Sequence, residues 1–479
     1  MSVQVNNLIN GQWVGADSGA TFEVINPATD EVVARVPLGG STETERAVSA
    51  AHDAWLKWRG TTANERASLI DKLAALMRRD ADRLARLMTA EQGKPLAESR
   101  GEIAYAVSFL DWAAEEAKRI YGEIIPASAP NKRILVFRQP VGVCAIITPW
   151  NFPSAMITRK LGPALAAGCT VVIKPAEDTP LSAIALGELA LEAGIPAGVV
   201  NIVTGDPRAI GGLLTSDQRV RKLSFTGSTE VGRLLMKQSS DNLLRLSMEL
   251  GGHAPFIIFD DADMSRAAEA AMACKFRNAG QTCICANRFY VHESVHTDFV
   301  SRLSSAIGTL RVGDGTQEGV NVGPLINDEA ITKVESHVAD AREKGASVLV
   351  GGQRVRIKGL ADRFYAPTLI DGMTADMRVH HEETFGPVAA VRSFRTEEEV
   401  VEWANSSQFG LAAYFFTQNA SRLIRVAERL EYGIVGANDG GPSTVQAPFG
   451  GVKQSGFGRE GGKYVMDEYT QLKYISWGV

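Results

Sequence analysis

Long apolar runs are missing from this sequence. None reaches the ~18 residues that a membrane-spanning helix requires, which argues against a membrane protein. Cysteine is scarce: five in 479 residues form no disulfide framework, so a reducing, cytoplasmic compartment is expected. The N-terminal stretch carries neither the basic region nor the apolar segment of a secretory signal. Charge of one sign is lacking too. Fifty Lys and Arg stand against 55 Asp and Glu, mixed along the chain, for a net charge of -5. That balance argues against nucleic acid as a partner. There is no internal repeat and no low-complexity tract. What remains is an ordinary globular composition, 45% apolar and 22% charged, in a chain too long for one core. Two or more domains are expected.

Apolar, β-branched runs at 143–147, 170–173, 199–203 and 222–225 are separated by helical patterns at 159–167, 182–193, 208–214 and 231–238. Strand alternating with helix at this spacing predicts βαβ units and a parallel sheet, with ligands at the carboxyl ends of its strands. Ahead of it, helices are expected over 42–58, 63–89 and 97–120, with an exposed antiparallel strand at 133–138. A second alternating region follows. Its strands are expected at 288–292, 347–350, 388–394, 412–416 and 433–438, its helices at 295–310, 329–344, 397–405 and 420–430. Residues 472–477 read as an edge strand. The fold class is α/β with two such domains.

Several residues at strand ends could carry chemistry. Cys283 follows a Gly-Gln-Thr turn, a placement that can hold a thiol out of the core, although a lone cysteine reads as a small apolar residue. Asn151, in Pro149-Trp-Asn-Phe-Pro, could donate to an oxyanion or simply form a turn. Glu249, before Leu250 and two glycines, could be a general base for water or a solvated carboxylate. Lys174 and Glu177, around Pro175 and Ala176, could reach ribose hydroxyls. Gly227 and Ser228 open a helix and could face a phosphate, although a plain strand-to-helix turn reads the same way.

In order along the chain, Pro149-Trp-Asn-Phe-Pro, Lys174-Pro-Ala-Glu, Phe225-Thr-Gly-Ser, Met248-Glu-Leu-Gly-Gly, Gly280-Gln-Thr-Cys, Glu383-Thr-Phe-Gly-Pro and Pro448-Phe-Gly-Gly-Val-Lys-Gln-Ser-Gly resemble the nicotinamide-dependent aldehyde dehydrogenases over essentially the whole length. The resemblance implies a Rossmann-type cofactor domain (1–120 and 141–250), a second α/β catalytic domain (251–445), and a small β oligomerisation arm with the C-terminal tail (121–140 and 446–479). It implies Cys283 as nucleophile, Asn151 and the Cys283 N–H as oxyanion donors, and Glu249 as the base that activates water. Thr148, Trp150, Lys174, Pro175, Ala176, Glu177, Gly227, Ser228, Leu250, Glu383 and Phe385 would hold the cofactor. Glu177 stands where a 2′-phosphate would sit, so NAD is expected to be preferred, with NADP possible. No metal is implied. A homodimer or homotetramer is.

Within the family the resemblance is to the succinate-semialdehyde dehydrogenases, through Ala155-Met-Ile-Thr-Arg-Lys, Lys275–Arg288 and Ala447-Pro-Phe-Gly-Gly. It departs from them at 439–446, the stretch that lines the substrate entrance in that family. Arg159, Arg277 and Ser443 match the substrate-binding pattern. The expected substrate is a short aldehyde with a terminal carboxylate: succinate semialdehyde, then glutarate semialdehyde, then another small aliphatic or aromatic aldehyde. Cys285, two residues from the nucleophile, matches relatives that close a reversible disulfide there.

Overall fold

The computed structural model describes residues 4–479. Five parallel strands form the centre of an eight-stranded sheet. Their order in space is Val200–Ile202, Thr170–Lys174, Val143–Ile147, Val220–Thr226 and Arg245–Glu249. Counted along the chain this is 3-2-1-4-5, so the winding reverses between Val143–Ile147 and Val220–Thr226. A crevice outside the carboxyl ends is expected at that reversal, and Thr148–Asn151 and Thr226–Ser228 lie beside it. Short antiparallel strands close the edges: Asn7–Ile9 and Gln12–Val14 on one side, Gly456–Phe457 on the other.

The connecting helices start and pack as their residues dictate. Asp206 and Ser228 cap the helices Pro207–Ser216 and Thr229–Ser239 by accepting from the N–H groups of Arg208 and Val231. Helix Ala155–Ala167 is buried on every side. Its small residues let it lie close to helix Leu96–Ala117, and a Cβ at Gly162 would sit 2.9 Å from the Ala113 Cβ. This packing anchors the peptide that carries Asn151.

A seven-stranded sheet holds the second half: Ser347–Val350, Thr368–Asp371, Val388–Phe394, Ala286–His292, Ala254–Ile258, Ala412–Phe416 and Ile434–Ala437, all parallel except the first. A three-stranded antiparallel sheet places Lys132–Pro140 between Thr470–Gly478 and Glu123–Ile125.

The structure departs from the sequence reading in several places. The helix expected over 63–89 is two, Ala63–Arg79 and Ala81–Gln92, broken at Asp80, whose carboxylate takes Arg79 and Arg83. The apolar period runs through the break, so periodicity alone does not reveal it. Strand Ala254–Ile258 was not expected, and it contains Pro255, which cannot donate to a ladder. The register shifts between Ala254 and Pro255, and the strand sits centrally all the same. Helix Met264–Phe276 and strand Thr368–Asp371 were also missed. Of the segment 446–479, only Thr470–Gly478 joins the three-stranded sheet. Val452–Lys453 pairs with Phe409–Gly410, and Gly456–Phe457 with Met248 and Glu249.

Candidate active site

Cys283 is delivered by an unusual piece of backbone. After helix Met264–Phe276, three consecutive residues are left-handed: Asn278 (φ 51°), Ala279 (φ 54°) and Gly280 (φ 74°). A Cβ at Gly280 would strike the Gly386 carbonyl. The turn is pinned from outside. The Asn278 N–H donates to Glu98 Oε2 (2.8 Å), and its Oδ1 accepts from Gln92 Nε2 (3.0 Å). Gln281 Oε1 accepts the Ile326 N–H at 3.0 Å. The Cys283 carbonyl lies against Gly252, where a Cβ would collide with it. That close approach gives the second glycine of Glu249-Leu-Gly-Gly its reason.

The thiol is half-buried between two cavities of about 310 Å³ each. One lies at the winding reversal, between Trp150, Thr226–Ser228, Leu250, Glu383 and Phe385. The other is bounded by Tyr105, Phe152, Arg159, Arg277, Ser443 and Phe449. Cys283 and Met156 border both.

Burial pushes the Cys283 thiol up to about 12, Glu383 and Glu249 add to the rise, and Arg159 and Arg277 oppose it. Glu249 is buried, its Oε2 has no hydrogen-bond partner, and its carboxyl is held well above the usual range by burial and then by the charge of Glu460. Glu460 stays low despite its own burial, because Lys160 and Arg159 face it. Glu383 is raised to about 7 by burial, while its Oε1 accepts the Gly252 N–H at 3.0 Å. Two carboxyls that burial has moved toward neutrality thus flank one thiol, a pattern suited to proton transfer near neutral pH.

Asn151 is 4% exposed. Its Nδ2 donates to the Gln281 carbonyl at 3.0 Å with one N–H, leaving the second for another acceptor. The Asn151 carbonyl accepts from Lys94 Nζ (2.6 Å) and Asn278 Nδ2 (3.0 Å).

Arg159 is fully buried, stacked between Phe109 and Phe449, with Nε 2.6 Å from Glu460 Oε2 but not aligned as a hydrogen bond. Its Nη2 has no partner. Of the two arginines, Arg159 pairs with an acid. Arg277 does not: it is exposed, rests 5.3 Å over the Phe152 ring, and among the described residues no carboxylate lies within salt-bridge distance of it. Ser443 Oγ is 2.6 Å from the Tyr105 hydroxyl.

The residues expected around the adenosine lie at the end of Thr170–Lys174, outside both cavity linings. Lys174 Nζ is ion-paired with Glu177 across Pro175 and Ala176, and the Thr148 N–H donates to the Lys174 carbonyl at 3.2 Å. Asp178 is pushed up to about 6 by burial, then by Glu177 and Glu329. The Gly227 N–H is already committed to the Glu249 carbonyl (3.1 Å), so Gly227 has no N–H to offer an anion there; that falls to the first turn of helix Thr229–Ser239. Trp150 meets Phe385 edge-on, and Phe385 is itself left-handed (φ 55°). Cys285 is buried, with Sγ 3.4 Å from the Lys275 carbonyl. Sequence reasoning missed Gln92, Lys94, Glu98, Tyr105 and Glu460. Residues 91–95 were read only as a helix break, and no local period marks the others.

The crevice at the winding reversal, apolar-walled and opening a helix at Ser228, fits a dinucleotide. A thiol between that crevice and an arginine-bordered cavity is the arrangement of a cysteine-dependent oxidoreductase. The sequence matches the model of the aldehyde dehydrogenase family over residues 13–475. It is 54% identical over 472 residues to succinate-semialdehyde dehydrogenase [NADP(+)] of Escherichia coli, covering 98% of this chain and 97% of that one. It is also 54% identical over 467 residues to glutarate-semialdehyde dehydrogenase of Pseudomonas putida, covering 98% and 96%. The crystal structure of succinate-semialdehyde dehydrogenase from Burkholderia pseudomallei matches with a TM-score of 0.98 at 55% identity, covering 100% and 98%. The chain belongs to the aldehyde dehydrogenase family, and it is an oxidoreductase that converts an aldehyde to a carboxylic acid with a nicotinamide cofactor.

A thiol raised to about 12 is almost wholly protonated at neutral pH. Alkylation of Cys283 by iodoacetamide in cofactor-free enzyme should therefore quicken by about tenfold per pH unit from about pH 7 to about pH 10. Mass spectrometry of the labelled peptide gives the rate. A plateau near pH 8 would show that the thiol is not raised.

Proposed function

We propose that the substrate is succinate semialdehyde, oxidised to succinate. The observation that carries this reading is the unpaired Arg277 beside the free Nη2 of Arg159 in the cavity that ends on Cys283. A guanidinium grips a carboxylate through parallel hydrogen bonds, and holding the far end of a short chain brings its carbonyl carbon to the thiol. Ser443, tied to Tyr105, supplies a further hydroxyl. Glutarate semialdehyde is the second reading, favoured by a relative of that name at the same identity.

The chemistry follows from the chain's own groups. The Cys283 thiol passes its proton to ionised Glu249, and Sγ attacks the aldehyde carbon. The second N–H of the Asn151 amide and the Cys283 N–H donate to the oxyanion. Bound nicotinamide supplies the hydride acceptor, and oxidation leaves a thioester on Cys283. Glu249 takes a proton from water, the oxygen adds to the acyl carbon, and collapse of the adduct expels the thiolate and the acid. Because its carboxyl is raised, Glu249 must first give up its own proton, so hydrolysis gains with rising pH.

The support for NAD over NADP is local. Glu177, Asp178 and Glu329 gather carboxyls near Lys174, and a 2′-phosphate would meet them. The E. coli relative is named for NADP, so the reading rests on these carboxyls and draws nothing from the relatives. Lys174–Glu177 would hold the adenosine ribose, the helix opening at Ser228 the pyrophosphate, and Glu383 and Phe385 the nicotinamide end. The three-stranded sheet leaves Ile124, Leu472, Tyr474 and Trp477 exposed, which supports a homodimer or homotetramer, testable by sedimentation. Five free cysteines suit a cytoplasmic setting.

An initial-rate panel of succinate semialdehyde, glutarate semialdehyde, butanal and benzaldehyde, each with NAD and NADP, tests both choices. The acid semialdehydes should lead, and Arg277→Ala should raise their KM by at least about tenfold while moving butanal little. Preference for a neutral aldehyde sinks the carboxylate reading; a higher kcat/KM with NADP sinks the cofactor reading.

Glu249→Gln should give a burst of reduced cofactor and then turn over at least about 100-fold more slowly. Normal turnover would remove Glu249 from the hydrolytic step. Cys285 is proposed to form a reversible disulfide with Cys283, for which its thiol must leave the Lys275 carbonyl. Peroxide should inactivate the enzyme and dithiothreitol restore it; the same reversible loss in Cys285→Ala would refute the pairing.

A further inference from the structure

Between helices Ala81–Gln92 and Leu96–Ala117 the chain makes a tight turn, Gly93-Lys94-Pro95, that none of the steps above uses. Its backbone is wedged in place. Gly93 is left-handed (φ 88°), and a Cβ there would lie 2.6 Å from Pro324 and 2.8 Å from Pro27. The Leu96 N–H donates to the Gly315 carbonyl at 2.8 Å. The Lys94 side chain is 2% exposed and points inward. Its ammonium has two oxygen partners, Glu102 Oε2 at 2.5 Å and the Asn151 carbonyl at 2.6 Å, and stands 4.1 Å over the Phe152 ring. Glu102 passes the constraint on: its Oε1 accepts the N–H groups of Ser154 (2.9 Å) and Ala155 (3.2 Å), where helix Ala155–Ala167 begins.

A buried ammonium is costly to desolvate, and removing one member of such a pair is worse than never having had it. A neutral side chain could fill this space. What a neutral apolar group could not do is donate to a backbone carbonyl from outside the strand. The Asn151 peptide follows the end of Val143–Ile147 and is not part of its ladder. Its carbonyl is instead held from two sides, by Lys94 Nζ and by Asn278 Nδ2. With the carbonyl fixed and one amide N–H committed to Gln281, the direction of the remaining Asn151 N–H is determined.

The structure assigns Lys94 the role of a positioning residue: it orients the Asn151 peptide so that the free amide N–H faces the oxygen on the carbon that bonds to Cys283. This rests on the reading of that N–H as an oxyanion donor. Lys94 touches neither substrate nor cofactor. It acts on the transition state through Asn151, and its loss should lower kcat with little change in KM.

A double-mutant cycle separates this role from a general effect on folding. Asn151→Ala removes the side-chain donor but keeps the backbone carbonyl that Lys94 grips. Lys94→Gln, Asn151→Ala and the double variant are assayed with the best aldehyde of the panel, each checked for cofactor binding and thermal melting. Lys94→Gln should lower kcat by about 10- to 100-fold and leave KM within about threefold. In the Asn151→Ala background it should cost no more than about a further twofold. Lys94→Met, of similar length but with no donor, carries the same cycle if Lys94→Gln does not fold. Full kcat in Asn151→Ala strikes down the oxyanion reading and this assignment together. A loss in Asn151→Ala, with losses that multiply across the two positions, overturns the Lys94 assignment alone, as does a folded Lys94→Gln with wild-type kcat.

Discussion

A backbone that turns left-handed at three residues in a row has to be held there, and the reactive thiol depends on that hold. Two of the three, Asn278 and Ala279, are not glycine, and each costs about 1–2 kcal/mol in that conformation. A buried hydrogen bond returns about 1 kcal/mol, and Asn278 alone engages Glu98, Gln92, Asn151 and Gln281. The two sums are comparable, so the turn persists only while its partners stay in place. Two of those partners, Gln92 and Glu98, come from helices in the first half of the chain, and Asn151 from the loop after Val143–Ile147. Cys283 sits in the second half, yet the turn that presents it is held by the first.

Charge obeys the same logic of mutual dependence. The site buries Glu249, Glu460, Arg159 and Lys160 within one region, and the protonation of Glu249 depends on the charges around it. Glu460 is kept ionised by its two cations, and its charge raises Glu249. The burial that keeps the thiol protonated at rest also strengthens any interaction with a developing oxyanion, because little water screens it.

Much of this was legible in the sequence. Apolar β-branched runs at even spacing gave the parallel sheet, because strands covered on both faces have no polar side to show. Two of the strand-end motifs, at Asn151 and at Gly227–Ser228, fell at the winding reversal, where topology brings them together, while Lys174 and Glu177 end the neighbouring strand outside that cavity. The rest was hidden for physical reasons. Pro255 disguised a central strand that a register shift accommodates. The partner of Arg159 lies at Glu460, the partner of Ser443 at Tyr105, and the turn at Gly93–Lys94 looks like a helix break until Asn151 is seen beneath it. Contacts across some 300 residues leave no periodicity to read.

The thiol that separates the two cavities has a stereochemical consequence. An aldehyde carbon is flat and offers a nucleophile two equivalent sides. On the proposed roles of the two cavities, the remainder of the substrate would extend only toward the arginines, and the hydrogen to be removed would point into the crevice beyond Trp150 and Phe385. With both substituents assigned to different rooms and the sulfur in the doorway, only one side of the carbonyl can meet it. The adduct on Cys283 is then formed with a single handedness, although neither the aldehyde nor the acid that leaves carries any trace of it at that carbon.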